Sequence, residues 1–205
     1  MNLHYGCGLA VAEGWYNCDA SPTLRLQRLP ILGTVARHLL KPVFPSGVEY
    51  GNIAAGLKIE ENSCAAIYCC HVLEHLSLED ARSALRNTYR YLRPGGLFRL
   101  VVPDFEQQVA GYIANKDPNA LPNFLTYTHL GRTTRAKQPV ALIREFFGNS
   151  YHLWMWDYKS LAKELSGAGF REIRRCYFGD SRNPAFLSVE HQGRFEWALA
   201  IECTK

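Results

Sequence analysis

Short apolar runs alternate with amphipathic stretches along most of the chain, and their order predicts an α/β domain. Leu3 to Tyr5 forms a first strand that runs into the turn Gly6-Cys7-Gly8, and the next apolar run, Trp15-Tyr16-Asn17-Cys18, follows closely. A parallel crossover ordinarily needs about a dozen residues or more. The first helix is therefore expected to shrink to a turn, or to a very short helix within Gly8 to Glu13. Val48-Glu49-Tyr50 reads as a third strand ending at Gly51-Asn52-Ile53, and Ala65 to Cys70 is a continuous apolar run suited to a central strand buried on both faces. Ser77, with Asp80 after it, opens a helix whose buried stripe is Leu78, Ala81, Leu85, Tyr89 and Leu92. Pro94-Gly95-Gly96 ends that helix, and Leu97 to Val102 makes a fifth strand. Asp157 is placed to cap a helix with Leu161, Ala162, Leu165 and Ala168 inward, closed by Gly167 and Gly169. Ile173 to Phe178 and Trp197 to Cys203 follow as a closing strand pair. Strands alternating with helices argue for a doubly wound parallel sheet.

Two stretches break the alternation. Residues 22–47 are punctuated by Pro22, Pro30, Pro42 and Pro45 and carry Arg25, Arg28, Arg37, His38 and Lys41. Within them Leu32, Val35, Ala36, Leu39 and Leu40 fall at helical spacing, with Arg37 and Lys41 on another face. Two readings stay open: a helix packed over the sheet edge, or a basic amphipathic element that makes peripheral contact with a membrane or a lipid-linked substrate. Residues 105–150 form a partly helical excursion with Lys116, Arg132, Arg135, Lys137 and Arg144 against Glu106, Asp117 and Glu145. Excursions of this kind carry specificity.

At 205 residues and 47% apolar, the chain suits one domain, spanning 1–205 with insertions at about 22–47 and 105–150. No stretch approaches 18 uninterrupted apolar residues and none has the length of a signal core, so a soluble, cytoplasmic protein is expected. Its seven cysteines are odd in number and show no CxxC pair, so they read as reduced core residues and no metal is expected. The net charge of +4 is spread without a basic block between aromatics, so nucleic acid is not an expected partner.

The glycine turn carries the first chemical signal. Gly6 and Gly8 let the backbone take positive φ and approach a ligand at the carboxyl end of a parallel strand. Asp19, at the end of the second strand, can accept hydrogen bonds from the hydroxyls of a ribose, or cap the turn before Ser21-Pro22. With LHYGCG, GWYNCD, NSCAAIYCCHVLEHLSLEDA, NTYRYLRPGGLFRLVVPD and HLWMWDYKSLAKELSGAGF in this order, the chain resembles class I S-adenosylmethionine-dependent methyltransferases, and among them the type 11 methyltransferase-like bacterial branch. The resemblance covers nearly the whole chain. It implies a Rossmann-like seven-stranded sheet with a reversed last strand, and S-adenosylmethionine as cofactor with S-adenosylhomocysteine as product. By position, Gly6 and Gly8 would line its methionine part, Asp19 would bind its ribose, Asn52 and Ile53 would sit by its adenine, His71 would flank it after the fourth strand, and Tyr5 and Cys7 would also belong to the cofactor site. The chain departs from the family pattern at His4 and Asn52, where acidic residues are common, in lacking a third glycine after Gly8, and in lacking a helix before the first strand.

A methyl acceptor needs alignment with the cofactor, exclusion of water and, for a hydroxyl, removal of a proton. Asp104, after the fifth strand, and His152, re-entering from the excursion, are the first candidates for the base, and His129 is a weaker one. Asp104 could instead cap the following helix, and His152 could be a packed histidine. Glu74-His75 reads as structural, and one of Tyr151, Trp154 and Trp156 is expected in the pocket wall. The basic excursion and the resemblance together suggest O-methylation of a small-molecule or saccharide acceptor, anionic in character. Two other readings are a non-catalytic or membrane-associated module and a nicotinamide-binding Rossmann enzyme. The last is disfavoured because Val11 stands where Gly-x-Gly-x-x-Gly needs its third glycine.

Overall fold

A computed structural model describes residues 1–134 and 151–205. Seven strands, β1 (Asn2–Tyr5), β2 (Trp15–Asp19), β3 (Val48–Tyr50), β4 (Cys64–Cys70), β5 (Leu92–Pro103), β6 (Arg171–Cys176) and β7 (Ala198–Thr204), pair into one sheet in the order β3-β2-β1-β4-β5-β7-β6. The pairs from β3 through β5 are parallel, and β7 is antiparallel to both β5 and β6. This is the doubly wound sheet with a reversed last strand. Among the described residues the α-helices are α1 (Pro22–Gln27), α2 (Leu32–Leu39), α3 (Leu78–Tyr91), α4 (Phe105–Ala114), α5 (Ala120–Tyr127) and α6 (Tyr158–Gly167).

Alternation along the strands divides the core between two faces. Leu3, Tyr5, Ile67, Cys69, Phe98, Leu100 and Val102 meet Ala81, Leu85, Leu161 and Leu165 from α3 and α6. On the other face Trp15, Tyr68, Val101 and Ala200 meet Phe186 and Val189. The β1–β2 crossover contains only turns, as its length predicts. Buried Asn17 holds it in place of a helix: its amide donates to the Ala12 and Trp15 carbonyls at 3.0 and 2.9 Å and accepts from the Ala12 N–H at 3.2 Å.

Pro94-Gly95-Gly96 lies inside β5 rather than before it. α3 stops at Tyr91, and a register shift between Cys64 and Ala66 absorbs the irregularity, with Gly95 at φ +72°. The insertion also differs from one of its two readings. α1 buries Leu24 against Cys7, Phe44 and Val48, whereas α2 buries only Gly33 and leaves Leu32, Val35 and Leu39 at 64, 56 and 76% exposure. α2 is thus not packed over the sheet edge. Among the described residues no helix is long and apolar enough to cross a membrane. All seven cysteines are free, and burial pushes the Cys7 thiol up to about 12 and Cys70 to about 11, so neither is a thiolate at neutral pH.

Behind the sheet, the β6–β7 connection is fastened by a buried ion cluster. Fully buried Arg99 on β5 pairs with Glu190, with Asp180 at 3.0 Å and with Glu202 at 3.3 Å, and also donates to the Tyr177 carbonyl. Glu202 lies opposite Arg99 on β7 and takes a second bond from Arg174 on β6 at 2.7 Å. The second oxygen of Glu190 accepts the Gly179 N–H at 2.9 Å.

Candidate functional site

In an open α/β sheet, ligands bind beyond the carboxyl ends of the strands where the strand order reverses. Here that point lies between β1 and β4. Gly6 and Gly8 follow β1 at φ +65° and +58°, a region L side chains rarely adopt. The two glycines serve different ends. A Cβ on Gly6 would collide with Cγ2 of Val72 from the segment after β4, whereas one on Gly8 would meet nothing within 4 Å. Gly6 thus permits close packing of the two crossovers, and Gly8 leaves an open cradle.

Asp19 secures the cradle, its two carboxylate oxygens accepting the Gly8 N–H at 2.9 Å and the Ser21 N–H at 2.8 Å. The turn-capping reading therefore describes its contacts. Asn52 likewise closes its own turn, accepting from the Ala54 and Ala55 N–H groups at 2.9 and 3.3 Å. The side chains of Tyr5 and Ile53 belong to the core, and that of Cys7 faces Leu24 and Phe44. His71 has φ +54°, and its ring joins Glu74 Oε1 at 3.0 Å and the Arg194 carbonyl at 3.1 Å.

His71 also lines a cavity of about 360 Å³. Its floor is Glu74, His75 and Pro103, and its flank is Gln108, Tyr127, His129 and His152. Arg194, Glu196 and Trp197 from the β6–β7 connection form its far wall. A second cavity of similar size continues between α4 and α5 through the shared residues Gln108, Tyr127 and Trp197. The chain around His152 is strapped to the floor: the Leu153 and Trp154 N–H groups donate to the Glu74 carbonyl at 2.7 and 3.2 Å. Nδ1 of His75 meets the Tyr151 carbonyl at 3.1 Å.

The polar groups here are incompletely paired. Glu74 is 1% exposed, and its Oε2 has no hydrogen-bond partner; Nδ1 of His152 and Oε1 of Gln108 are also buried without one. Burial holds the His152 imidazole down at about 4, opposed by Glu74 and reinforced by His75 and His129, so it is neutral at physiological pH. Glu74, His75 and His152 offer ligand atoms within 4.8 Å of one another. Among the described residues, Oε2 of Glu74 is a buried carboxylate oxygen that still lacks a donor or a cation.

Of the two expected bases, His152 lines the cavity and Asp104 does not. Asp104 caps α4, accepting the Gln107 N–H at 3.3 Å, and pairs with Arg175 at 3.2 Å. The expected aromatic wall is displaced as well. Trp156 is buried at 1% exposure and packs in the core, and the aromatic lining comes from Tyr127 and Trp197. Arg194, Glu196 and Trp197 were not anticipated, because no local pattern ties the β6–β7 connection to the end of β4. Adjacent Glu74 and His75 gave a signal that the helical context explained away. Of the basic excursion, Arg132 stacks on Tyr151 at 4.4 Å, while Arg135, Lys137 and Arg144, with Glu145, lie outside the described residues.

Comparison with known proteins agrees with this architecture. Residues 3–100 match the methyltransferase-domain family. No curated protein matches the chain in sequence. A methyltransferase from Archaeoglobus fulgidus, described as SAM-dependent, is 14% identical, with a TM-score of 0.52 over 100% of this chain and 85% of its own. An S-adenosylmethionine-dependent methyltransferase from Mesorhizobium loti is 15% identical, with a TM-score of 0.50 over 100% of this chain and 90% of its own. PigF, solved with SAH, is 16% identical and aligns over 100% of this chain and 50% of its own, with a TM-score of 0.52. The chain has the class I methyltransferase fold, and its residues 3–100 are similar to the methyltransferase-domain family.

Proposed function

We propose that the chain transfers a methyl group from S-adenosylmethionine to a hydroxyl of a small-molecule or saccharide acceptor, leaving S-adenosylhomocysteine. S-adenosylmethionine supplies the activated methyl group. Gly6, Gly8, the Asp19 carboxylate and the backbone at Tyr5, Cys7, Asn52 and Ile53 would hold it, and His71 would separate it from the acceptor. The observation that carries the reading is a juxtaposition. Val72 packs on Gly6, and the residue before it, His71, lines the histidine-rich cavity. His152 is neutral there, with an unpaired Nδ1 able to take the acceptor proton. Arg194 in the far wall favours an acceptor with a negative group. Asp104 acts from behind the cavity, holding the start of α4.

Calorimetric titration with S-adenosylmethionine, S-adenosylhomocysteine and NAD tests the cofactor. Micromolar binding of an adenosyl compound is expected, lost when Gly8→Leu fills the cradle. Binding of NAD alone would replace this reading with a dehydrogenase. Once an acceptor is found, His152→Ala should lower kcat by about 100-fold or more while the cofactor still binds.

The exposed apolar side of α2 favours a peripheral contact beside this activity. Ile31, Leu32, Val35 and Leu39 face solvent near Arg37 and Lys41, the composition of a helix that lies on an anionic bilayer. The chain should float with anionic vesicles and not with neutral ones, and Leu32→Ser with Leu39→Ser should abolish flotation. Equal behaviour of wild type and variant would remove the membrane contact.

A further inference from the structure

We infer that Glu74, His75 and His152 form a binding site for a divalent transition-metal ion, with an open coordination position facing the cavity. The donor set is two imidazoles and one carboxylate, which suits zinc and its neighbours and not the oxygen-only preference of calcium or magnesium.

Each donor has the lone pair that ligation needs. A carbonyl can only accept, so the contact between His75 Nδ1 and the Tyr151 carbonyl makes Nδ1 the protonated nitrogen and leaves Nε2 as the lone-pair donor. For His152 the unpaired atom is Nδ1 itself. Glu74 divides its two oxygens, Oε1 meeting His71 Nδ1 at 3.0 Å and Oε2 having no partner. Outer contacts that fix the tautomer of a histidine and the direction of a carboxylate are the usual support of a metal site. Here they are in place around Glu74 and His75.

The distances are compatible. The ligand atoms lie within 4.8 Å of one another, and bonds of about 2.0–2.2 Å to a shared ion would require them to close by on the order of 1 Å. A buried carboxylate oxygen without a partner is costly in the free chain, and a cation removes that cost. Three protein ligands leave room for a water or an acceptor oxygen, the arrangement of a catalytic and not a purely structural site.

The inference deepens the proposed methyl transfer, since cation and proton are alternative occupants of the His152 lone pair. An ion in the site would lower the pKa of an acceptor hydroxyl bound to it. His129, whose ring centroid lies 5.0 Å from that of His152, would then be the imidazole left to receive the proton.

Cobalt(II) titration of the metal-stripped chain, followed by visible absorption, tests the site without cofactor or acceptor. One equivalent should bind per chain with the intense visible bands of a four- or five-coordinate ion. Binding should weaken by more than 100-fold in His75→Ala and His152→Ala, and by about 10–100-fold in His71→Asn, which loses only the support of Glu74. Circular dichroism identifies any variant that fails to fold, and Glu74→Gln, which preserves side-chain volume, gives a second reading at the same site. Absence of stoichiometric binding, equal affinity in all variants, or the near-ultraviolet charge-transfer band of a cysteine ligand would overturn the proposal. Loss of turnover in His152→Ala without any cobalt binding would leave the general-base reading standing alone.

Discussion

Two buried polar clusters contact the β6–β7 connection, and they are finished to different degrees. Around Arg99, the guanidinium meets Glu190, Asp180, Glu202 and a carbonyl, and the second oxygen of Glu190 accepts a backbone N–H. Around Glu74, one carboxylate oxygen and one nitrogen of His152 have no partner, and both border a cavity. A saturated cluster has nothing left to offer a ligand and acts on the fold. An unsaturated one beside open space keeps its bonding capacity for something that arrives later. His4 shows that an orphan atom alone is not enough. Its Nδ1 is unpaired, but the ring is 4% exposed and enclosed by Trp15 and Tyr68, away from the cavity.

The largest effect that would break the comparison is at Arg99. Arg99→Met should cost about 3–5 kcal/mol, because three carboxylates lose their common partner inside the protein. Chemical denaturation would show it, and a loss below about 1 kcal/mol would mean that the cluster does not anchor the connection.

The next effect is a pH dependence carried by His4. Burial holds its imidazole down at about 4 against 6.5 in the unfolded chain, so the unfolded state binds more protons between those values. Stability is full above pH 6.5 and falls as pH drops towards 4, by about 3 kcal/mol at the limit. Urea midpoints measured across this range for wild type and His4→Gln should converge at low pH. Parallel curves would place the titration elsewhere.

Smaller, and opposite in its lesson, is Glu74→Gln. Removing the unpaired carboxylate should change stability by less than about 1 kcal/mol while lowering turnover. A loss as large as that of Arg99→Met would make both clusters structural. The smallest effect is expected at Asp104→Asn. Asparagine caps as well as aspartate, and the lost partner Arg175 is 43% exposed, so stability should shift by about 0.5 kcal/mol at most. A melting-temperature comparison suffices, and a collapse of activity at unchanged stability would return Asp104 to the cavity chemistry.

Much of the fold was legible from local chemistry, because period-two apolar runs and the Ser77 and Asp157 caps act within a few residues of themselves. Gly6 and Gly8 were legible for the same reason. The cavity was legible only in part. His152 was named on its position after the excursion, but its neighbours Glu74 and His75 lie more than 70 residues away, and Arg194 and Trp197 come from beyond β6. α2 was ambiguous because helical spacing reports an apolar side without saying what covers it. Asp104 was ambiguous because a carboxylate after a strand suits a helix cap and a base equally; it caps α4 and pairs with Arg175 on β6, a partner that sequence spacing does not reveal.

The helix-free crossover after β1 has a consequence for the order of assembly. The sheet face over Trp15 and Tyr68 is closed by Phe186, and the indole of Trp15 donates to Ser188 Oγ at 2.9 Å across 173 residues of sequence. During synthesis the first hundred residues would emerge with that face bare. Closure must wait until Phe186 and Ser188 have left the ribosome, a long-range step that slows folding and leaves the nascent chain sticky.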